Sequence, residues 1–392
     1  MLAASALVLF MTPGLAFFYG GLVRGKNAIS TVMYSFVAIG VVSVVWVLWG
    51  YSLAFGEGGD FIGNFDFLGF KDVASESDEG IPPMLFAIFQ MMFAIITPAL
   101  ITGAIAERFK FTTYLIFLVA WVTFVYAPIA HWVWASDGWL FELGALDFAG
   151  GTVVHINAGV AAVAAAWLVG KRRGVDRGVE PHNVPFVILG ASILWFGWFG
   201  FNAGSGLAAD GLAVSAFLVT NTAAATALVV WLILGHIHTG KMSAVGAATG
   251  AVAGLVAITP ASGFVGPMGS IAIGLGAGVL TFYAVRIRHK FGFDDALEVM
   301  AVHGIGGIWG ALATGIFAVG GIGLIDGDAK VLGYNAVAVL STIAYSFVVT
   351  FVILKILDVI PGLGLRADDA AEDAGLDVSL HGERAYVGDG AD

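Results

Sequence analysis

Residues 83–106, PMLFAIFQMMFAIITPALITGAIA, run without one charged side chain before Glu107 and Arg108. A helix needs about 20 apolar residues to cross the roughly 30 Å hydrocarbon core of a bilayer, and this stretch is long enough. Comparable stretches recur at 2–23, 28–55, 112–131, 150–170, 185–205, 212–237, 243–259, 268–288, 299–319 and 334–358. The reading is an all-α polytopic membrane protein with eleven transmembrane helices. Composition agrees. Of 392 residues, 59% are hydrophobic and 11% charged, against roughly 25% charged in soluble domains. With so little polar surface, lipid is the natural solvent.

Other classes are excluded early. The first apolar stretch runs from Leu2 to Val23 with no basic residue before it, so it is expected to be a span and not a cleaved signal peptide. The chain has no cysteine, which removes disulfides, thiolate metal sites and cysteine nucleophiles. Net charge is −11 and the longest basic run is Lys171-Arg172-Arg173, so no nucleic-acid partner is expected.

The connections set the orientation, because Lys and Arg accumulate on the cytoplasmic side. With the N-terminus outside, the inner connections and C-terminal end hold Arg24, Lys26, Arg108, Lys110, Lys171, Arg172, Arg173, Arg177, Lys241, Arg286, Arg288, Lys290, Lys355, Arg366 and Arg384. Of the 17 basic residues, only Lys71 and Lys330 fall on the other side. This division predicts N-out, C-in topology, with a transmembrane domain over 1–365 and a cytoplasmic tail over 366–392. The outer segment 56–82 carries Glu57, Asp60, Asp66, Asp72, Glu76, Asp78 and Glu79. It reads as a solvated loop, or as a surface kept hydrated in high external salt.

Two short matches suggest an internal repeat. Ile96-Thr97-Pro98-Ala99 recurs as Ile258-Thr259-Pro260-Ala261, and Val154-His155 with Gly159 matches Val302-His303 with Gly307. Both pairs lie five spans apart. An odd offset reverses direction across the membrane, the pattern of a five-plus-five inverted repeat.

Ionisable groups within a span are costly and usually face a cavity. His155 and His303 hold equivalent places in the two halves, so an inverted repeat would bring both near the midplane. A pair of neutral imidazoles could share one hydrogen bond and offer a donor and an acceptor to a small polar guest. The alternative is two separate histidines bonded to nearby backbone. No third histidine or intramembrane carboxylate accompanies them, so no metal or other cofactor is expected. Asp147 precedes span five and reads as a helix N-cap that would also favour a cation nearby. Phe89 and Phe93, four apart, share a helix face. Trp134 is placed in the loop after span four, and Phe201 and Ser205 are four apart near the end of span six. Aromatic faces with a hydroxyl can hold a cation stripped of water. Trp at an interface and Phe against lipid is the plainer alternative.

The run Ala145 to Asn157, ALDFAGGTVVHIN, resembles the signature of ammonium transporters of the Amt/Mep/Rh family. FFYGGLVR at 17–24, GAIAER at 103–108, GWFGFNAGS at 197–205 and His303-Gly304 are similar to it as well, as is the tail around Gly375-Leu376-Asp377 and His381-Gly382-Glu383. The resemblance covers essentially the whole chain. It implies a non-enzymatic channel of the cell membrane with ammonium recruited at Trp134, Phe89, Phe93 and Ser205, shaped by Asp147. Phe93 and Phe201 would form a gate, and His155 and His303 would line a narrow pore beside Trp198. It also implies a homotrimer and a cytoplasmic regulator of the PII class, with methylammonium as a substrate analogue. Glu298 stands where the family has an Asp before the tenth-span histidine. An ammonium sensor, or a channel for a neutral gas such as CO2, are the alternatives within the same fold.

Overall fold

The computed structural model describes residues 1–386; the expected tail beyond Tyr386 lies outside the described residues. Among the described residues ten helices are long and apolar enough to cross a membrane. These are α1 (Leu2–Leu22), α2 (Gly25–Phe55), α3 (Pro83–Ile105), α4 (Phe111–Leu143), α5 (Gly151–Val169), α6 (Val184–Gly204), α7 (Gly211–Thr239), α9 (Pro267–Ile287), α10 (Met300–Phe317) and α11 (Lys330–Val359). Between them α8 (Ala244–Ile258) is the short eleventh, 15 residues long. It stops where Pro260 follows, since proline has no amide hydrogen for the helix ladder, and turns carry the chain to Gly266. Apart from one isolated bridge between Phe109 and Arg366, the described backbone is helical or irregular. It is a multi-pass, all-α membrane protein.

In lipid, helices gain nothing from hiding apolar surface from one another. Close backbone approach and interhelical hydrogen bonds hold them together instead. Small residues provide the approach: a Cβ on Gly190 of α6 would lie 2.2 Å from the Phe18 amide of α1. Indole–threonine bonds provide the polar part: Trp121 to Thr350 at 2.9 Å, Trp198 to Thr259 at 2.8 Å and Trp231 to Thr281 at 3.1 Å. Each satisfies a buried N–H that would otherwise cost several kcal/mol in hydrocarbon.

The crossing of α5 and α10 positions the site. A Cβ on Gly159 would meet the Gly304 amide nitrogen at 2.3 Å, and one on Gly307 would meet the Gly151 carbonyl at 3.0 Å. The backbones therefore touch, and only residues without a side chain fit there. Both helices open with a turn of wider π geometry, at Gly151–Ile156 and Met300–Ile305, and each of these turns carries a histidine.

One face of the bundle gathers buried ion pairs. Glu107 binds Arg24, and the Arg172 guanidinium holds Asp294 at 2.8 and 2.9 Å. Arg108 is fully buried and donates to the carbonyls of Ala106, Gly170 and Asp294. The segment after α11 folds back onto this face. Asp377 accepts from the Ile29 and Ser30 amides at the start of α2, Arg366 pairs with Glu372, and Arg173 binds Asp373. Glu372 and Asp373 belong to a short helix, α12 (Asp369–Ala374).

Candidate functional site: a closed passage between two chambers

Two chambers lie at opposite ends of a constriction. The first, about 250 Å³, is lined by Phe86, Phe89, Gln90, Phe93, Trp134, Phe141, Asp147, Phe148, Ser205, Leu207 and Phe264. Its α3 residues, 86, 89, 90 and 93, fall at helical spacings that make one face. Trp134 is the last residue of an α-helical segment of α4 and not part of a loop. Its indole N–H donates to the Asp147 carbonyl at 2.9 Å, and its ring stands edge-on to Phe93 at 5.8 Å between centroids. Ser205 donates its hydroxyl hydrogen to the Phe201 carbonyl at 2.8 Å, which leaves the oxygen lone pairs free to accept.

Asp147 lies beneath this chamber, 9% exposed. Its carboxylate accepts from the amides of Gly150, Gly151, Thr152 and Val153 at 2.7–3.2 Å. Gly150 reaches this turn at φ 115°, a region open mainly to glycine. With both oxygens occupied by backbone, Asp147 fixes the start of α5 and contributes negative field without being a free ligand.

Phe93 and Phe201 close the chamber floor. Their rings lie 4.2 Å apart between centroids and 34° from parallel. Beyond them Phe201, Trp198, His155 and His303, with Leu15, Ile96, Leu100, Val154, Leu194 and Val252, surround a space of about 10 Å³. That is about the room one water-sized molecule needs. The Trp198 ring stacks on His155 at 5.4 Å and 19°, and its N–H is tied to Thr259. The Nδ1 atoms of His155 and His303 lie 3.2 Å apart. Such a contact needs a single proton between them, one ring donating and the other accepting. His155 Nε2 is buried with no partner among the described residues.

His303 and Phe18 also line the second chamber, about 550 Å³, where Arg172, Arg286, Arg288, Lys241 and Glu298 gather. Burial pushes the Glu298 carboxyl up to about 8, against the opposing pull of Arg288.

Of the sequence-predicted site residues, Phe89, Phe93, Trp134, Asp147 and Ser205 line the first chamber, and His155, Trp198, Phe201 and His303 line the small space. The structure corrects the place given to Glu298. The carboxylate that caps α10 is Asp295, which accepts from Val299 and Met300 at 3.0 and 2.7 Å. Asp295 precedes His303 by the same interval as Asp147 precedes His155, so the spacing could have revealed it. Thr259, the anchor of Trp198, was visible only as part of a repeat, because its partner is distant in sequence.

A polytopic helical membrane protein with a chamber on either side of a small histidine-lined space has the build of a membrane transporter. The model of the Ammonium Transporter Family matches residues 1–386. The ammonium transporter of Bacillus subtilis (strain 168) is 49% identical, over 98% of this chain and 97% of that protein. The ammonium transporter Amt1 of Archaeoglobus fulgidus is 46% identical, over 99% and 98%. The crystal structure of Candida albicans Mep2 superposes with a TM-score of 0.89 at 39% identity, covering 94% of this chain and 85% of that one. A structure described as a sensor Amt protein is also similar, with a TM-score of 0.88 at 35% identity over 96% of each chain. The chain belongs to the ammonium transporter family, and its function is ammonium transport rather than enzymatic catalysis.

Proposed function

We propose that the protein recruits NH4+ as an ion in the Trp134 chamber, where the ion gives its proton to water of that chamber, and passes neutral ammonia between the Phe rings and along His155 and His303. The observation that carries this reading is the change of chemistry across the Phe93–Phe201 pair. On one side are an indole, aromatic faces, a free hydroxyl oxygen and a buried carboxylate. On the other is a space for one small molecule, with only two imidazoles as polar lining. A cation is stabilised in the first environment by roughly 0.5–2 kcal/mol per aromatic contact. In the second, a bare ion would cost many kcal/mol. The histidine pair supplies one donor and one acceptor, which suits a molecule that both donates and accepts.

The matched halves support a five-plus-five inverted repeat. Asp147 and Asp295 each cap a π turn that carries its histidine at the same interval, and Thr97 and Thr259 each back-bond to the carbonyl four residues earlier. The face holding Arg24, Arg108, Arg172, Arg173 and the returning tail is assigned to the cytoplasm by its positive charge, which puts the Trp134 chamber outside. Residues 1–365 would then be the transmembrane domain and the tail from 366 cytoplasmic. A homotrimer with one pore per subunit in the cell membrane, and a PII-class regulator docking on the cytoplasmic face, complete the proposal.

Purified protein in liposomes decides the mechanism. Uptake should saturate with external ammonium, accept methylammonium, and carry no K+ current. K+ conduction at a comparable rate would overturn it. CO2 permeability without methylammonium uptake would favour the gas-channel alternative. The outer chamber, with its aromatic faces and free hydroxyl oxygen, suits a cation and argues against that alternative.

A further inference from the structure

Asn157 is a polar residue inside a transmembrane helix. It lies in α5 two residues beyond His155 and is fully buried, and it is not among the residues around the small histidine-lined space. Asparagine is a poor choice for a helix interior, because its side chain competes with the backbone for hydrogen bonds. In α5 that competition has a definite product. The backbone amide of Asn157 donates to the carbonyls of Thr152 and Val154 and passes over that of Val153. The side-chain Nδ2 donates to the Val153 carbonyl instead, at 3.1 Å. Asn157 thus supplies from its side chain the bond to the fourth residue back that its backbone gives up where the helix widens.

The i→i+5 spacing of such a turn accommodates one residue more than an α turn, and one residue is about 100° of rotation. If the turn closed to ordinary α geometry, its residues would be carried round the helix axis relative to the rest of α5, and His155 would leave its place against His303. A second tie comes from α11. Ser346, also fully buried, donates to the Asn157 carbonyl at 2.9 Å, so the end of the turn is fixed from outside as well as from within. The position matching Asn157 in α10 is Ile305, at the same interval from its histidine, and its side chain has no donor to give. The side-chain pin belongs to the His155 half.

We infer that Asn157 is a positioning residue for conduction: through its bond to the Val153 carbonyl it holds open the wide turn that presents His155 to His303. This rests on the histidine-lined passage proposed above.

Ammonium uptake, titrated with full-length protein in liposomes, tests the bond apart from the bulk. Threonine and valine have nearly the same shape, but a threonine hydroxyl can donate to the carbonyl four residues back, as those of Thr97 and Thr259 do in this chain. Asn157→Thr should therefore keep the maximal rate within about threefold of wild type. Asn157→Val should lower it by about tenfold or more, as expected for a misplaced pore group, with the half-saturation concentration unchanged because the recruitment chamber is untouched. Equal maximal rates in the two variants, high or low, would overturn the inference, and so would a raised half-saturation value in Asn157→Val. If Asn157→Val does not insert, the smaller pair Asn157→Ser and Asn157→Ala decides on the same terms. His155→Ala run in parallel separates the two readings. Reduced conduction there with equal rates in the Asn157 pair removes Asn157 alone, whereas wild-type rate and selectivity in His155→Ala removes the passage itself and this inference with it.

Discussion

His155 and His303, 148 residues apart in sequence, meet Nδ1 to Nδ1 at 3.2 Å, next to the point where Gly159 of α5 touches Gly304 of α10. Neither helix could present its imidazole to the other if its neighbour at the crossing had a side chain. The histidine pair is thus a product of glycine packing as much as of histidine placement.

That contact makes the histidines interdependent. His155→Ala or His303→Ala is expected to abolish ammonium conduction or its selectivity, with normal insertion and the same elution from gel filtration in detergent. Each variant leaves the surviving ring without its shared proton partner. Flux assays in liposomes with ammonium and K+ check this, and wild-type rates and selectivity in both single variants would remove the paired pore.

The crossing itself predicts a structural effect. Gly159→Ala places a methyl 2.3 Å from the Gly304 nitrogen, so the helices must separate. Overpacking of this kind costs roughly 1–3 kcal/mol, and conduction should fall at least tenfold because the histidines part. Thermal unfolding in detergent together with liposome flux measures both, and unchanged values would mean the helices can shift without disturbing the pore.

Asp147 serves four amides, so its loss exceeds that of an ordinary cap, where removal costs about 0.5–2 kcal/mol. Asp147→Ala should eliminate transport while the protein still inserts, and Asp147→Glu should retain part of it. Full transport by the Ala variant would leave Asp147 with no part in the mechanism.

Trp134 discriminates an ion site from an interfacial anchor. Trp134→Leu should raise the ammonium half-saturation concentration two- to thirty-fold, the equivalent of a cation–π contact of about 0.5–2 kcal/mol, with similar or higher maximal flux. An anchor would instead lower expression and leave the concentration dependence alone. Titrated uptake in liposomes distinguishes the two.

The buried pair at the tail-bearing face carries a pH signature. Burial alone would raise the Asp294 carboxyl, but the Arg172 guanidinium bonded to it overrides burial and holds it at about 2. A carboxyl depressed in the folded state adds stability above its unfolded value, near 3.9, and loses it as pH falls toward 2. Arg172→Met should therefore lower the melting temperature in detergent at pH 7, with the difference from wild type shrinking between about pH 4 and pH 2. A difference independent of pH would mean that Arg172 acts through packing alone.

The sequence by itself determined the solvent and the helices. Apolar stretches long enough for a bilayer set the position of nearly every span within a few residues, because in lipid a chain must satisfy its backbone within the segment. It also marked His155, His303 and Asp147, since charged or titratable groups in such a setting are too costly to be incidental. The tertiary structure alone decided which residues share a wall. The stacking of Phe93 on Phe201 and the tie from Trp198 to Thr259 are relations between segments far apart in sequence. Nothing in the periodicity of one helix encodes where another will cross it. Asp295 was legible by its interval to His303, yet its capping role needed the folded turn. Crossings are fixed by small residues such as Gly159 and Gly304, whose significance lies in what approaches them.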